Sequence, residues 1–258
     1  MKVEIVSATP DAWNLLLGTK STRMRGKDPK EMSDDERYEN WQYMLNTIQS
    51  PFEFVDYIFE ISEVSKNFTH QLVRTRTGAY QQETSRALEV NAFDTIRPHA
   101  MEYMAPNGQT QLAEIWDDAI AMADAGYREL IRNGAALQDA RGILPSNMPT
   151  VIKAKFNLRT LSDMAKVRLC TRTQGEYQEV FRRMRVLVLQ MHPWAAPLLE
   201  VSCVGTGRCA FPRHGKEHCK FWRPWMDLTV QQAELRKEFW ASELTTNNPV
   251  AVDGKSSS

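Results

Sequence analysis

The chain has 258 residues, of which 42% are hydrophobic and 25% are charged, and its formal net charge is zero. This length suits one large domain or two small ones, and the balanced charge argues against a general nucleic-acid or membrane-surface binder. No apolar run approaches the roughly 20 residues needed to cross a bilayer. Residues 1–6 also lack the apolar region of a secretory signal, so we expect a cytoplasmic protein.

The first elements expected along the chain are a strand and a capped helix. Residues 2–6 alternate in polarity, which predicts a short strand. Ser33-Asp34-Asp35-Glu36 has the form of a capping box at the start of a helix. The apolar residues of this helix recur at helical spacing until Pro51 ends it, and they are Tyr38, Trp41, Met44, Leu45 and Ile48.

A second strand and a second helix are expected next. Residues 54–61 are aromatic and β-branched, which favours a strand. Residues 65–74 then predict a helix in which Gln71 and Arg74, one turn apart, lie on the same face.

Two longer apolar stripes predict amphipathic helices in the second half of the chain. The first ends at Asn133-Gly134 and consists of Leu112, Ile115, Trp116, Ala119, Met122, Ala123, Tyr127, Leu130 and Ile131. The second ends before Pro193 and consists of Tyr177, Val180, Phe181, Met184, Leu187, Val188 and Met191. We expect both stripes to face the core or a subunit interface.

Between these two helices the sequence predicts a strand and a further helix. Residues 150–156 alternate as a strand, and Asn157 follows in the position of a helix N-cap. No linker divides the chain, so we expect one domain over residues 1–222. Residues 223–258 are expected to form a C-terminal helix and a disordered tail, because the chain is small and polar from Thr245 onward.

The four cysteines are unevenly distributed. Cys170 is isolated, whereas Cys203, Cys209 and Cys219 cluster near two histidines. These three thiols are candidate zinc ligands, but their spacing lacks the paired Cys-x-x-Cys loops of the usual structural sites. We therefore predict reduced structural cysteines and no metal site.

Four segments carry polar side chains that suit an anionic ligand. The densest runs from Gln71 to Arg86 and contains three arginines, whose rigid forks match phosphate and carboxylate oxygens. The others are Ser50-Pro51-Phe52-Glu53, Ala140-Arg141-Gly142-Ile143-Leu144-Pro145, and Asn157-Leu158-Arg159 followed by Asp163 and Arg168. Taken singly, each arginine is more often a surface salt bridge.

Taken in order, these segments resemble the flavin-dependent thymidylate synthase family. That family carries Ser/Thr-Pro-Phe-Glu, then Gln-x-x-Arg-His-Arg with a Ser after seven residues, then Ala-Arg-x-x-Leu-Pro and Asn-x-Arg-Ser-Leu with a distal Arg. The spacing is kept here from Gln71 through Thr84, in residues 140–145, and from Asn157 to Arg168. The resemblance covers roughly residues 2–219.

The resemblance implies an α/β (α+β) fold with a central, mostly antiparallel sheet flanked by helices. It also implies a homotetramer in which subunits share the FAD and nucleotide sites. In such an enzyme, methylenetetrahydrofolate provides one carbon for C5 of dUMP, reduced FAD provides hydride, and NADPH regenerates the flavin. No cysteine nucleophile is required.

The resemblance assigns roles to individual residues. The nucleotide would be held by Gln71, Arg74, Thr84, Arg86, Arg141 and Arg168. Arg168 would act in catalysis by contacting the pyrimidine and stabilising charge as N3 loses its proton. FAD would be lined by Ser50, Glu53, Arg74, Thr75, Arg76, Gln82, Asn157, Arg159 and Asp163.

Several positions depart from the family pattern. Thr75 and Ile48 stand where the family has histidines, and Gln81-Gln82 replaces an Asn-Glu pair. Thr84 stands for Ser, Ala87 for Tyr, and Asp163 for Asn or His. An imidazole can move protons near neutral pH, whereas Thr and Ile cannot.

Three functions therefore stay open. The first is dTMP formation from dUMP, and the second is a divergent reaction that gives a hydroxymethyl product or uses dCMP. The absence of the family's imidazole at Thr75 and of its carboxylate at Gln82 favours the second function, whereas the retained Arg168 favours a uracil substrate. The third is nucleotide and flavin binding without catalysis. The remaining histidines, His70, His99 and His192 among them, are poor catalytic candidates.

Overall fold

An antiparallel sheet organises the fold. The computed structural model describes residues 1–24, 27–47, 49–84, 94–102, 112–223 and 226. Its strands are β1 (Lys2–Ala8), β2 (Asp56–Ser65), β3 (Ala79–Gln82) and β4 (Pro149–Asn157). Its α-helices are α1 (Ala12–Met24), α2 (Asp34–Asn46), α3 (Lys66–Leu72), α4 (Leu112–Arg132), α5 (Leu137–Ala140), α6 (Leu158–Arg168), α7 (Gly175–Met191), α8 (Ser202–Thr206) and α9 (Pro212–His218).

Within the described ranges, the strands form a sheet of order β1-β2-β4-β3 in which every pairing is antiparallel. The long central strands bury alternate side chains, with Tyr57, Phe59 and Ile61 of β2 and Phe156 of β4 fully inaccessible. The other face carries charged pairs such as Lys155 with Asp56, at 2.7 Å. One face of the sheet is therefore core, and the predicted central antiparallel sheet is confirmed.

Side-chain caps start the main helices where the sequence predicts them. Ser33 and Glu36 form the expected capping box of α2, with hydrogen bonds of 3.2 and 2.9 Å. Asn157 Oδ1 accepts the N–H of Thr160 at 2.8 Å and so caps α6. These caps satisfy N–H groups that the helix itself leaves unpaired.

The core lies between the buried face of the sheet and α1, α3, α6 and α7. The predicted stripe of α7 faces it, since Tyr177, Val180, Phe181, Met184 and Val188 are buried. At one edge, Trp13, Trp41 and Trp194 lie 5.4–5.5 Å apart between ring centroids. This aromatic cluster joins α1 and α2 to the segment that follows α7.

The stripe of α4 behaves differently from that of α7. Tyr127 is its one buried residue, whereas Met122 is 72% exposed, Ile115 54% and Leu130 40%. The alternative that this stripe faces the core is therefore wrong for most of its length. A subunit interface is the alternative that stays open.

Other elements differ from the predictions or lie beyond them. Helix α2 ends at Asn46 instead of near Pro51, and β2 begins at Asp56 instead of residue 54. Helix α3 ends at Leu72 instead of residue 74, so Arg74 lies in the following loop and not on the helix face of Gln71. Helices α1, α5, α8 and α9 and strand β3 were not predicted from the sequence. Ile48, residues 224–225 and the tail from residue 227 lie outside the described residues, so the division at residue 222 stays a prediction. Among the described helices, none has the length and apolar character required to span a membrane.

Candidate functional site

A short loop between α3 and β3 carries Arg74, Thr75 and Arg76. The Tyr80 hydroxyl donates a hydrogen bond to the Thr75 carbonyl oxygen at 2.5 Å and lies 3.1 Å from that of Leu72. Burial raises the pKa of Tyr80 to about 12, so its hydroxyl stays protonated and remains a donor at neutral pH. The loop is thereby held against β3.

Gly78 allows the close approach of this loop to the sheet. A Cβ at this position would lie 2.5 Å from a ring carbon of Phe156 and 2.5 Å from the Tyr80 hydroxyl oxygen. Both distances are shorter than real Cβ contacts, so any larger residue would push the loop away. The side chains of Arg74 and Arg76 are exposed, and neither pairs with a carboxylate in the part of the chain that the structure describes. Their guanidinium donors are available to an anion.

Arg168, the last residue of α6, lies on an aromatic ring. Its guanidinium carbon is 4.3 Å from the ring centroid of Tyr177, which is fully buried. Burial raises the pKa of Tyr177, while the Arg168 charge and the Thr75 side chain act in the opposite direction. The structure therefore brings two predicted site residues, Thr75 and Arg168, to the same tyrosine. Sequence reasoning placed Tyr177 only in a core stripe.

Arg141 lies in a turn after α5, where its Nε donates to the Gln138 carbonyl at 3.1 Å. Lys66, at the start of α3, has a pKa lowered by burial and by the charge of Arg141, with Glu83 acting in the opposite direction. Two cations therefore lie near each other at the Pro149 end of β4, where Lys66 N–H also bonds the Met148 carbonyl. Lys66 had not been predicted; its position at the N-terminus of α3, the helix before the arginine loop, was the available signal.

At the opposite end of β4, Glu53 forms a salt bridge with Arg159. Glu53 belongs to the turn Ser50–Phe54, and Arg159 to the first turn of α6, which begins after Asn157. An open cleft of about 710 Å³ adjoins this turn and is lined by polar and apolar side chains: Asn14, Leu15, Gly18, Thr19, Asp28, Pro29, Lys30, Ser50, Pro51 and Phe54. Four predicted flavin residues, Ser50, Glu53, Asn157 and Arg159, are thus brought together.

The remaining predicted residues occupy separate positions. Gln82, on β3, has its Nε2 3.4 Å from the Thr150 Oγ1. Asp163 is exposed and accepts a hydrogen bond from Lys166 at 2.7 Å. Gln71 is half-buried in the last turn of α3, and Thr84 follows β3. Arg86 lies outside the described residues.

In the described part of one protomer, the predicted nucleotide and flavin residues do not surround a single cavity. Glu53 and Arg159 lie at the Asn157 end of β4, and Arg141 and Lys66 at the other end. Strand β4 has nine residues. It therefore spans roughly 26 Å at about 3.3 Å per residue.

The C-terminal cysteines lie in a small satellite of the core. The pKa of Cys203 is raised to about 12 by burial and by its neighbours Cys209, Cys170 and Cys219. Phe211 N–H donates to the Cys209 sulfur at 3.4 Å. Over the described ranges, no three His, Cys, Asp or Glu side chains are placed to hold one metal ion. The candidates Cys203, Cys209 and Cys219 therefore do not form a ligand set here.

His192 is occupied by a structural contact. Its Nδ1 lies 2.7 Å from the Tyr57 hydroxyl, and its ring packs on Trp194 with centroids 5.1 Å apart. Burial lowers the pKa of His192 and raises that of Tyr57. Both groups therefore favour their neutral forms, and one hydrogen bond links them.

Comparison with known proteins identifies the family. The family model of the thymidylate synthase complementing protein matches residues 5–194. The chain is 31% identical over 210 residues to a flavin-dependent thymidylate synthase of Saccharolobus solfataricus, covering 79% of this chain and 78% of that relative. A flavin-dependent thymidylate synthase of Clostridium tetani is 26% identical over 226 residues, covering 81% of this chain and 90% of that relative.

A solved structure has a similar fold. It is the UMP/dUMP methylase PolB from Streptomyces cacaoi, bound with 5-Br dUMP, at a TM-score of 0.66 and 20% identity. The similarity covers 76% of this chain and 93% of that one. The chain therefore belongs to the thymidylate synthase complementing protein family and is an enzyme of this type.

Proposed function

We propose that the chain catalyses FAD-dependent transfer of a one-carbon unit from methylenetetrahydrofolate to C5 of a deoxypyrimidine monophosphate, converting dUMP to dTMP. NADPH would serve as the reductant. The observation that carries this proposal is the Arg168 guanidinium, which lies on the Tyr177 ring next to Thr75 of the arginine loop. The relatives named flavin-dependent thymidylate synthase and the methylase bound with 5-Br dUMP support the same substrate class.

The nucleotide would be held by the guanidinium forks. Arg74 and Arg141, with Gln71, Thr84 and Arg86, would bind its phosphate and sugar, because planar forks match phosphate oxygens bidentately. Arg168 would contact the pyrimidine ring. Its fixed positive charge would stabilise the negative charge that develops on the ring as N3 loses its proton.

The donor set at the Asn157 end of β4 suits a flavin dinucleotide. Glu53 and Arg159 present a partly exposed ion pair, and the adjoining cleft mixes apolar side chains such as Phe54 with the cation of Lys30. A cofactor with a flat ring system and a diphosphate needs both kinds of contact. We propose that Ser50, Asn157, Thr75, Arg76, Gln82 and Asp163 complete this site. When bound, FAD would supply the hydride that completes the methyl group.

We further propose a homotetramer with sites shared between subunits. The separation of Arg141 from Arg159 along β4 supports sharing, because one protomer leaves the two residue sets far apart. The exposed apolar side chains of α4, Ile115, Met122 and Leu130, form a surface suited to a second copy. Light scattering on the eluting protein tests this assembly, and a monomeric mass would contradict it. The cytoplasmic location stays a prediction.

A second candidate function follows from the altered residues. Thr75 offers a hydroxyl where the family has an imidazole, and the amide of Gln82 is neutral where the family has a carboxylate. Because both changes remove groups that titrate, a hydroxymethyl product or turnover of dCMP is the alternative. Nucleotide and flavin binding without catalysis is the third.

Mass spectrometry of the nucleotide products distinguishes the three candidate functions. The purified protein is incubated with FAD, NADPH and methylenetetrahydrofolate, with dUMP and dCMP in parallel and a control without folate. A product one methylene heavier than dUMP supports the first proposal. A hydroxymethyl product, or turnover of dCMP alone, supports the second. Bound flavin without any product supports the third.

A further inference from the structure

Tyr177 combines features that a purely structural residue does not need. Its ring is fully buried, and one face supports the Arg168 guanidinium at 4.3 Å. Its edge contacts Phe68 of α3, with centroids 5.1 Å apart and planes at 87°. Its hydroxyl has no hydrogen-bond partner among the described residues, although Thr75 and Arg168 face it. One side chain therefore touches three elements of the candidate nucleotide site.

The position of the guanidinium over the ring has a chemical consequence. A guanidinium over an aromatic face is attracted by the electron-rich face of the ring. This attraction does not require a hydrogen bond to an acceptor, so it leaves guanidinium N–H donors for a ligand. A salt bridge to a carboxylate would instead occupy those donors. The ring can therefore fix Arg168 without competing with the nucleotide.

We propose that Tyr177 is a positioning residue that holds Arg168 for the nucleotide through the face of its ring. This inference rests on the proposed function, because it assumes that Arg168 binds the pyrimidine. The ring and not the hydroxyl performs the role, since the buried hydroxyl is inaccessible to a ligand while the guanidinium covers the ring.

Two substitutions separate the ring from the hydroxyl. Tyr177→Phe removes only the hydroxyl and keeps the aromatic face, so nucleotide affinity should stay within about twofold of the original. Tyr177→Leu keeps an apolar side chain but removes the aromatic face, so the Kd for dUMP should rise about tenfold. Phe181→Leu, on the same helix, is the matched control for lost aromatic packing, because Phe181 is buried in the core.

The measurement is calorimetric binding of dUMP to flavin-loaded protein, with flavin affinity and Tm recorded for each variant. A raised Kd in Tyr177→Leu alone, with flavin affinity unchanged, supports the inference. Equal Kd values in Tyr177→Leu and Phe181→Leu would overturn it, as would a tenfold loss in Tyr177→Phe. If the unsubstituted protein failed to bind dUMP, the proposed function itself would be wrong.

A further readout is insensitive to packing. Fluorinated phenylalanines at position 177 keep the shape of the ring while weakening the negative potential of its face. The Kd for dUMP should therefore rise stepwise with the number of fluorine atoms, at constant Tm. A flat series would assign Tyr177 to packing alone.

Discussion

Glu176 accepts two hydrogen bonds from Ser65, one from its backbone N–H at 2.7 Å and one from its hydroxyl at 2.5 Å. The Ser65 hydroxyl oxygen in turn accepts the N–H of Phe68 at 3.0 Å and caps α3. Glu176 directly precedes Tyr177, which contacts Phe68 and Arg168. The first turn of α7 therefore holds the start of α3 and the end of α6 together.

Glu176→Gln should destabilise the protein by about 1–2 kcal/mol, because hydrogen bonds to a charged acceptor are stronger than those to an amide. Urea unfolding measures the change. Glu179→Gln is the control, since Glu179 forms an exposed pair with Arg183 and should cost less than about 0.5 kcal/mol. Equal losses in the two variants would refute a special role for the contact with Ser65.

Gly78→Ala should displace the arginine loop. The added methyl group would meet Phe156 and the Tyr80 hydroxyl at 2.5 Å, so we expect a loss of about 1–3 kcal/mol in unfolding free energy. The Kd for dUMP should rise as well, since Arg74 moves with the loop. Gly205→Ala is the control, because a Cβ there meets nothing within 4 Å. An unchanged stability in Gly78→Ala would show that the loop adapts freely.

Arg168→Ala should abolish turnover while leaving FAD bound. In the unsubstituted protein, the Arg168 charge would stabilise the pyrimidine anion. Losing such a group typically lowers the rate about 10²–10³-fold. Arg168→Lys should also be impaired, because an ammonium lacks the planar fork and stacks less well on Tyr177. Steady-state rates and flavin absorbance measure both effects. Full activity in Arg168→Ala would remove the assignment of the pyrimidine contact.

Local signals explain what could be predicted from the sequence. Ser33 and Asn157 predict the starts of their helices, because a cap acts within four residues of the chain. Strand β3 was missed because its four residues, Ala79–Gln82, are too short to show a pattern and depend on pairing with β4. The roles of Lys66 and Tyr177 were missed for a related reason. The role of Lys66 depends on the charge of Arg141, which is distant in sequence, and that of Tyr177 on the way α7 folds back on the end of α6, which no local spacing reveals.

The family resemblance rested on the spacing of motifs along the chain. Such spacing predicts which residues belong to a site better than it predicts where they lie in the fold. It assigned Glu53 and Arg159 to one site, and the structure joins them by a salt bridge at the start of α6. It did not indicate that Arg141 would lie at the far end of β4. That separation results from the length of the strand, and it is the observation behind the proposed sharing of sites between subunits.

The contact between Tyr57 and His192 makes stability depend on pH. The Tyr57 hydroxyl lies 2.7 Å from His192 Nδ1, and partial burial lowers the pKa of His192 from its usual 6.5, so the folded protein favours the neutral imidazole. The unfolded chain therefore binds this proton at a higher pH than the folded one. The stabilisation that neutral His192 contributes is complete above about pH 6.5. It is lost as the pH falls toward the pKa of His192 in the folded protein.

Replacing His192 removes this dependence. His192→Asn retains a polar acceptor that does not titrate, so the fall in unfolding free energy between pH 7 and pH 5 should become shallower. His70→Asn is the control for the replacement of an exposed histidine by asparagine. Denaturant midpoints at several pH values measure the slopes. Parallel curves for the original protein and His192→Asn would mean that protonation of this imidazole does not contribute, and that other groups cause any loss of stability in acid.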